Sequence, residues 1–219
     1  DGEVMIIFGT GKYLGPDDVE LTANNNILNA AYAIIDDGSS GLRRSDLHQQ
    51  RIVYEDVSNG RQVRGVTTDP RPDNKKGWYL DLVPPSGQRQ GERIVVRPVL
   101  RGNAVVFSTL IPSDIPCDTG GTSWLMALDI DNGTAVMDGF FDINDDGVIN
   151  EDDFIMVDGQ LIPVAGLGSE SGILTRANFL SGSEGMDVGY LSDSTGNTQR
   201  VRVRGNAFNL GRQSWRQIR

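Results

Sequence analysis

Cysteine and histidine are almost missing from this chain: Cys117 and His48 are the only examples in 219 residues. One cysteine cannot close a disulfide within the chain, so Cys117 is expected as a buried thiol, or as half of a pair with a cysteine elsewhere. One histidine, in Leu47-His48-Gln49-Gln50 with no Ser or Cys context, leaves no triad to assemble. Long apolar runs are absent too, and none approaches the ~20 residues needed to span a bilayer. Positive charge is in short supply, with 20 Lys and Arg against 30 Asp and Glu, a net charge of −10. That balance argues against nucleic acid or anionic lipid as the main partner. There is no G-x-S-x-G nucleophile elbow, since Gly168-Ser169-Glu170-Ser171-Gly172 carries Glu at its centre. Gly9-Thr10-Gly11-Lys12-Tyr13 lacks phosphate-loop spacing and reads as a Gly-rich strand end. The pairs Asp17-Asp18 and Asp36-Asp37 sit in turn contexts and are expected to be solvated. Together these absences point away from an enzyme.

Glycine, by contrast, is plentiful: 27 residues, about 12%, against a usual ~7%. Many glycines mean many turns, and hence many short strands. Arg93–Leu100 and Ala104–Leu110 flank Arg101-Gly102-Asn103 as a hairpin. In Arg200-Val201-Arg202-Val203-Arg204 strict alternation puts valines on one face and arginines on the other, the arginines being expected as a solvated face. The tetrapeptide Arg-Gly-Asn-Ala at 101–104 recurs at 204–207. The best helical candidate is short, Asn24 to Ala33. The chain opens on Asp1 and runs at once into Val4-Met5-Ile6-Ile7-Phe8, a start expected of a processed chain or an excised fragment.

A longer rhythm is present. Segments beginning at Tyr32, Trp78 and Trp124, 46 residues apart, share an aromatic opening, an apolar strand, an Asp and a Gly-containing turn; Tyr190–Gly196 is a weaker copy. A period in the forties with four strands per unit predicts β-propeller blades, about four or five in this length. A part of a larger propeller fits equally well.

The stretch from Asp142 to Asp153 follows the grammar of a calcium loop, with oxygen donors at positions 1, 3 and 5, Gly at 6, an apolar residue at 8 and a carboxylate at 12. Asp142, Asn144 and Asp146 would supply side-chain oxygens and Val148 its backbone carbonyl. Asn150 would bind directly or through water, and Asp153 would close the shell. Gly147 permits the sharp turn, and Ile149 would pin the loop to a core. Many ligands in a flexible ring favour calcium over magnesium, and the missing Cys and His disfavour zinc. There is one such loop, its flanks do not look helical, and Asp153 is shorter than the usual Glu. The expectation is a calcium staple in a β-rich scaffold rather than a paired sensor.

Several segments carry a family likeness: Gly77-Trp78-Tyr79-Leu80-Asp81-Leu82, Gly91-Glu92-Arg93-Ile94-Val95, Arg97-Pro98-Val99-Leu100, Leu110-Ile111-Pro112-Ser113-Asp114 with Cys117, and Gly120-Gly121-Thr122-Ser123-Trp124-Leu125-Met126. So do Phe8-Gly9-Thr10-Gly11-Lys12-Tyr13-Leu14 at the start and Gly211-Arg212-Gln213-Ser214-Trp215-Arg216 at the end. The chain resembles, over nearly all of residues 1–219, the C-terminal domain of type IV pilus tip-associated proteins of the PilY/PilC type. The resemblance implies the later blades of a modified seven-bladed β-propeller with a calcium loop at 142–153. It implies Asp142, Asn144, Asp146, the Val148 carbonyl and Asn150 as calcium ligands; Asp153 rests on spacing. It also implies an exported, outer membrane-associated protein at the cell surface or pilus tip. Its partners there would be minor pilins and a host or abiotic surface receptor. Its roles would be pilus extension against retraction, twitching motility and attachment. No Arg-Gly-Asp tripeptide is present. Two other readings stand beside this one: a quinoprotein-like propeller enzyme, and a calcium-stapled binding module unrelated to pili.

Overall fold

The structure is a computed structural model, and it describes residues 4–15, 18, 28–113, 120–182 and 185–205. Among these the architecture is all-β, in three main sheets. The first has the order β1 (Met5–Gly9), β2 (Ala30–Ile35), β6 (Gly77–Asp81), β3 (His48–Gln50). The second has six strands: β4 (Ile52–Ser58), β5 (Arg61–Val66), β15 (Gly166–Gly168), β11 (Trp124–Asp129), β8 (Ala104–Ser108) and β7 (Val99–Arg101). The third runs β12 (Phe141–Asp142), β18 (Thr198–Arg204), β17 (Met186–Ser192), β16 (Asn178–Ser181). Two ribbons complete the set, β9 (Ile111–Pro112) with β10 (Gly121–Thr122), and β13 (Phe154–Val157) with β14 (Gln160–Pro163).

The six-stranded sheet has apolar residues on both sides, and its pleat explains how two cores arise. Successive side chains on a strand point to opposite faces. On β11, Trp124, Met126 and Leu128 join Trp78, Leu80, Ala31 and Ala33 of the first sheet. Leu125 and Ala127, between them, join Phe140, Phe141, Ile143, Val201 and Val203 around the third sheet. A strand covered on both faces reads as an unbroken apolar run, as β8 and β11 do. On β18 only one face is covered, so Val201 and Val203 are buried while the arginines between them point outward.

Some expectations hold and others are corrected. The hairpin at Gly102 is present, with Arg101 opposite Ala104 and Gly102 at φ +60, the geometry of a II′ turn. Its first arm is shorter than the sequence implies. Val99 begins β7, because Pro98 offers no N–H, and Arg93 makes only an isolated bridge to Leu110. Gly9 closes β1 as a strand end; a Cβ there would lie 2.3 Å from Ile94 Cβ, so the glycine admits a close approach rather than a phosphate. Residues 24–27 of the helical candidate lie outside the described residues, and from Ala30 onward the chain is strand, with Ala30, Ala31, Ala33 and Ile35 buried. The 46-residue rhythm does not mark equivalent strands of successive blades: Tyr32 and Trp78 lie on neighbouring antiparallel strands of one sheet, with Ala33 opposite Trp78. Cys117, Asp17, the second Arg-Gly-Asn-Ala beyond Gly205 and the closing arginines lie outside the described residues.

Candidate metal centre

The loop from Asp142 to Asp153 hangs from the edge of the third sheet. Phe141 and Asp142 form β12, paired to Val203 and Arg202 of β18. Phe140 and Phe141 meet edge to face at 5.1 Å, and with Ile143 they bury the loop's entry. Ile143, rather than Ile149, is the main anchor; Ile149 is half-buried, with Gly139 as the small residue that makes room for it. The loop leaves through one 3₁₀ turn, Glu151–Asp153, directly into β13. Strand and 3₁₀ turn, not helices, flank it.

Within the loop the backbone reverses at Asp145 (φ +65) and Gly147 (φ +90), the second being a conformation glycine adopts at little cost. Asp142 is 1% exposed, and its Oδ2 accepts from the Gly147 amide at 2.9 Å. Its Oδ1 is buried and has no hydrogen-bond partner. Asn144 Oδ1 accepts from the Asp146 amide at 3.0 Å, while its Nδ2 donates to Asp146 Oδ2 at 2.9 Å. Asp146 Oδ1 accepts from the Val148 amide at 2.8 Å. These three side chains therefore wind the loop. Val148 itself is exposed.

The last two predicted residues do different work. Asn150 Oδ1 accepts from the Asp152 amide at 2.6 Å and caps the 3₁₀ turn. Asp153 ties the loop's ends together, its Oδ1 accepting from the Ile143 amide at 2.7 Å and its Oδ2 from the Asn150 amide at 3.0 Å. Burial pushes the Asp153 carboxyl above the usual carboxylate range; the amides of Asn150, Ile143 and Asn144 pull the other way, and the Asp142 charge adds to the rise. Among the described residues no three Asp, Glu, His or Cys side chains converge as a metal cluster.

The donor chemistry nonetheless fits a hard cation, since every candidate atom is oxygen. A buried carboxylate oxygen without a partner carries a desolvation cost that a cation would relieve. Asp142 through Oδ1 is the first residue that could hold such an ion, with Asn144, Asp146 and the Val148 carbonyl following round the loop.

Sequence reasoning missed one member of the site. Arg202 lies directly across the ladder from Asp142, its Nη1 3.7 Å from Asp142 Oδ2. The same Nη1 donates to the Asp145 carbonyl at 2.7 Å, and its Nε lies 3.4 Å from Asp145 Oδ1. Arg204 donates to the carbonyls of Gly139 and Asp138 just before the loop. The alternating strand showed where these arginines point but not what meets them there. His48 donates from Nε2 to the Asp69 carbonyl at 3.2 Å. No described helix is long and apolar enough to cross a membrane.

No family model matches the chain. A type IV pilus biogenesis factor PilY1 homolog of Xylella fastidiosa is 34% identical over 219 residues, covering 99% of this chain and 17% of that protein. A second homolog from the same organism is 37% identical over 136 residues, 61% of this chain and 9% of its own length. The type IV pilus biogenesis factor PilY1 of Pseudomonas aeruginosa is 26% identical over 235 residues, covering 98% of this chain and 19% of that protein. The chain thus spans less than a fifth of the length of the curated relatives it matches. The crystal structure of the P. aeruginosa PilY1 C-terminal domain shares the fold, with a TM-score of 0.73 at 24% identity over 91% of this chain and 42% of the solved one. Over nearly its whole length the chain is homologous to the PilY1 family of type IV pilus biogenesis factors.

Proposed function

We propose that this chain is a calcium-binding, non-enzymatic domain of a type IV pilus biogenesis factor that works at the cell surface or pilus tip. The family supports the pilus role. The calcium half rests on one observation above all, the buried and unpartnered Oδ1 of Asp142 inside a loop whose other candidates are also oxygen donors. Calcium would be held by Asp142, Asn144, Asp146 and the Val148 carbonyl. Asn150 and Asp153 would act from their places as cap and clasp, preserving the loop's closed form. When bound, the ion supplies positive charge where the fold has sealed a carboxylate from water. The three sheets, packed through two cores, are in this account consecutive blades of a larger propeller.

Stiffening the loop would stiffen β12 and β18, because Asp142 is a member of that ladder. An adhesive or pilin-binding surface on the third sheet would then be presented in one form only when calcium is present. In this way calcium would favour pilus extension over retraction, along with motility and attachment. The test is genetic. A strain whose chromosomal copy carries Asp142→Asn should make the protein at normal level yet show fewer sheared surface pili in calcium-replete medium. Parental pilus numbers from that strain, with the protein present, would remove the functional claim.

A further inference from the structure

The arginine opposite Asp142 has a position that the calcium account alone does not require. Asp142 and Arg202 are directly paired across β12 and β18, so both side chains stand on the same face of the sheet. The loop folds back over that face and seals Asp142, while Arg202 remains 29% exposed at its rim. The guanidinium reaches Asp142 Oδ2 at 3.7 Å, Asp145 Oδ1 at 3.4 Å and the Asp145 carbonyl at 2.7 Å. It therefore faces the two carboxylates at the start of the loop and braces the residue held at φ +65. Beside it lies a depression of about 340 Å³ between loop and sheet, lined by Gly147, Met186, Val188 and Arg200 among others.

We infer that Arg202 is the loop's resident counter-cation. Resting on the calcium reading above, this assigns the arginine a competing role. Without calcium it neutralises Asp142 and Asp145 and keeps the loop closed. When the dication arrives, the same carboxylates attract the ion and the guanidinium is repelled into the adjoining depression, beside Arg200. Arg202 thereby sets the affinity of the loop. It also carries the loop's state to the outer face of the third sheet, where two arginines would then stand together. An arginine suits this role because it never loses its charge and has donors enough to hold a carbonyl and a carboxylate at once.

The test compares Arg202→Gln, Arg202→Lys and, as a control one outward position along the strand, Arg200→Gln. Glutamine keeps an N–H donor for the Asp145 carbonyl and removes only the charge. Calorimetric titration with calcium chloride should give Arg202→Gln a Kd roughly tenfold tighter than the parent, the scale expected for one charge near a dication at a solvated rim. Arg202→Lys should stay within about threefold and Arg200→Gln within about twofold of the parent, on the same electrostatic grounds. Thermal melting in chelator supplies a reading independent of the ion. There Arg202→Gln should melt below the parent, and the gap should close at saturating calcium. Equal or weaker calcium binding by Arg202→Gln, with a parent that binds, overturns this inference alone. A parent that takes up no calcium overturns the loop reading, and this inference with it.

Discussion

Asp142 and Glu92 are both carboxylates sealed from solvent, yet their surroundings differ in kind. Glu92 is gripped by the fork of Arg64, with Nη1 to Oε1 at 2.8 Å and Nη2 to Oε2 at 3.0 Å. Arg64 in turn donates from Nε to Glu55 at 2.8 Å and lies 4.1 Å over the Trp124 ring. Removing one partner of such a pair strands the other charge in the interior, at a cost of about 3–5 kcal/mol. Arg64→Ala leaves the Glu92 carboxylate without its cation and should therefore lower unfolding free energy by that amount in urea, and a loss under ~1 kcal/mol would show the pair to be dispensable. Asp142 has one oxygen without any partner, so Asp142→Asn should cost little in chelator while forfeiting stabilisation by calcium. Asp193 gives the pH dependence. Its Oδ1 accepts from the Thr195 hydroxyl and the amides of Thr195 and Asn197, and its Oδ2 from the Ser171 hydroxyl. These bonds, the Thr195 hydroxyl first, hold its pKa at about 2 despite the opposing effect of burial. A depressed folded pKa stabilises the fold above the unfolded carboxylate value, about 3.9, and that stability drains away as pH falls toward 2. Melting temperature should thus drop less steeply for Asp193→Asn than for the parent between pH 4 and pH 2.5. The tight winding of the 142–153 loop was legible from its spacing because its hydrogen-bond partners are local. Arg202, Arg64 and Glu92 were not, because cross-strand and cross-sheet partners lie 28 to 60 residues away and alternation reports a face, never a neighbour.

At the scale of elements, turns set the register. Asn59-Gly60 (φ 50 and 75) and Asp158-Gly159 (φ 49 and 81) are I′ turns closing β4–β5 and β13–β14. Their dipeptides are among the clearest hairpin signals a sequence can carry, whereas the start of β2 at Ala30 and Ala31 was hidden because alanine has little strand preference and only burial selects the extended form. Two glycines separate strain from crowding. At Gly60 an added Cβ meets open space, so Gly60→Ala should cost only left-handed strain, about 1–2 kcal/mol. At Gly133 (φ +72) a Cβ would sit 2.4 Å from the Trp78 ring, so Gly133→Ala should add about 1–3 kcal/mol of overpacking. Chemical denaturation of both variants should rank them in that order. Equal losses would mean that Trp78 has room to move.

For the whole molecule, the central sheet is the organiser, because its two faces carry separate cores and each core joins it to one outer sheet. The 142–153 loop belongs to the outer edge of one of these, fastened by Phe140, Phe141 and Ile143 below and by Arg202 across the ladder. Composition announced the all-β class through its glycines and short apolar runs. The blade period was misleading, since two of its aromatics, Tyr32 and Trp78, fall on adjacent strands of one sheet. Calcium at a hundredfold excess over Kd stabilises a folded protein by about 2.7 kcal/mol, which in a domain of this size corresponds to roughly 5–10 °C in Tm. Calorimetric titration of the chain with calcium chloride, beside Asp142→Asn, tests the account most directly. It predicts one saturable site per chain for the parent and none for the variant; a flat titration of the folded parent, or equal binding by both proteins, would contradict it.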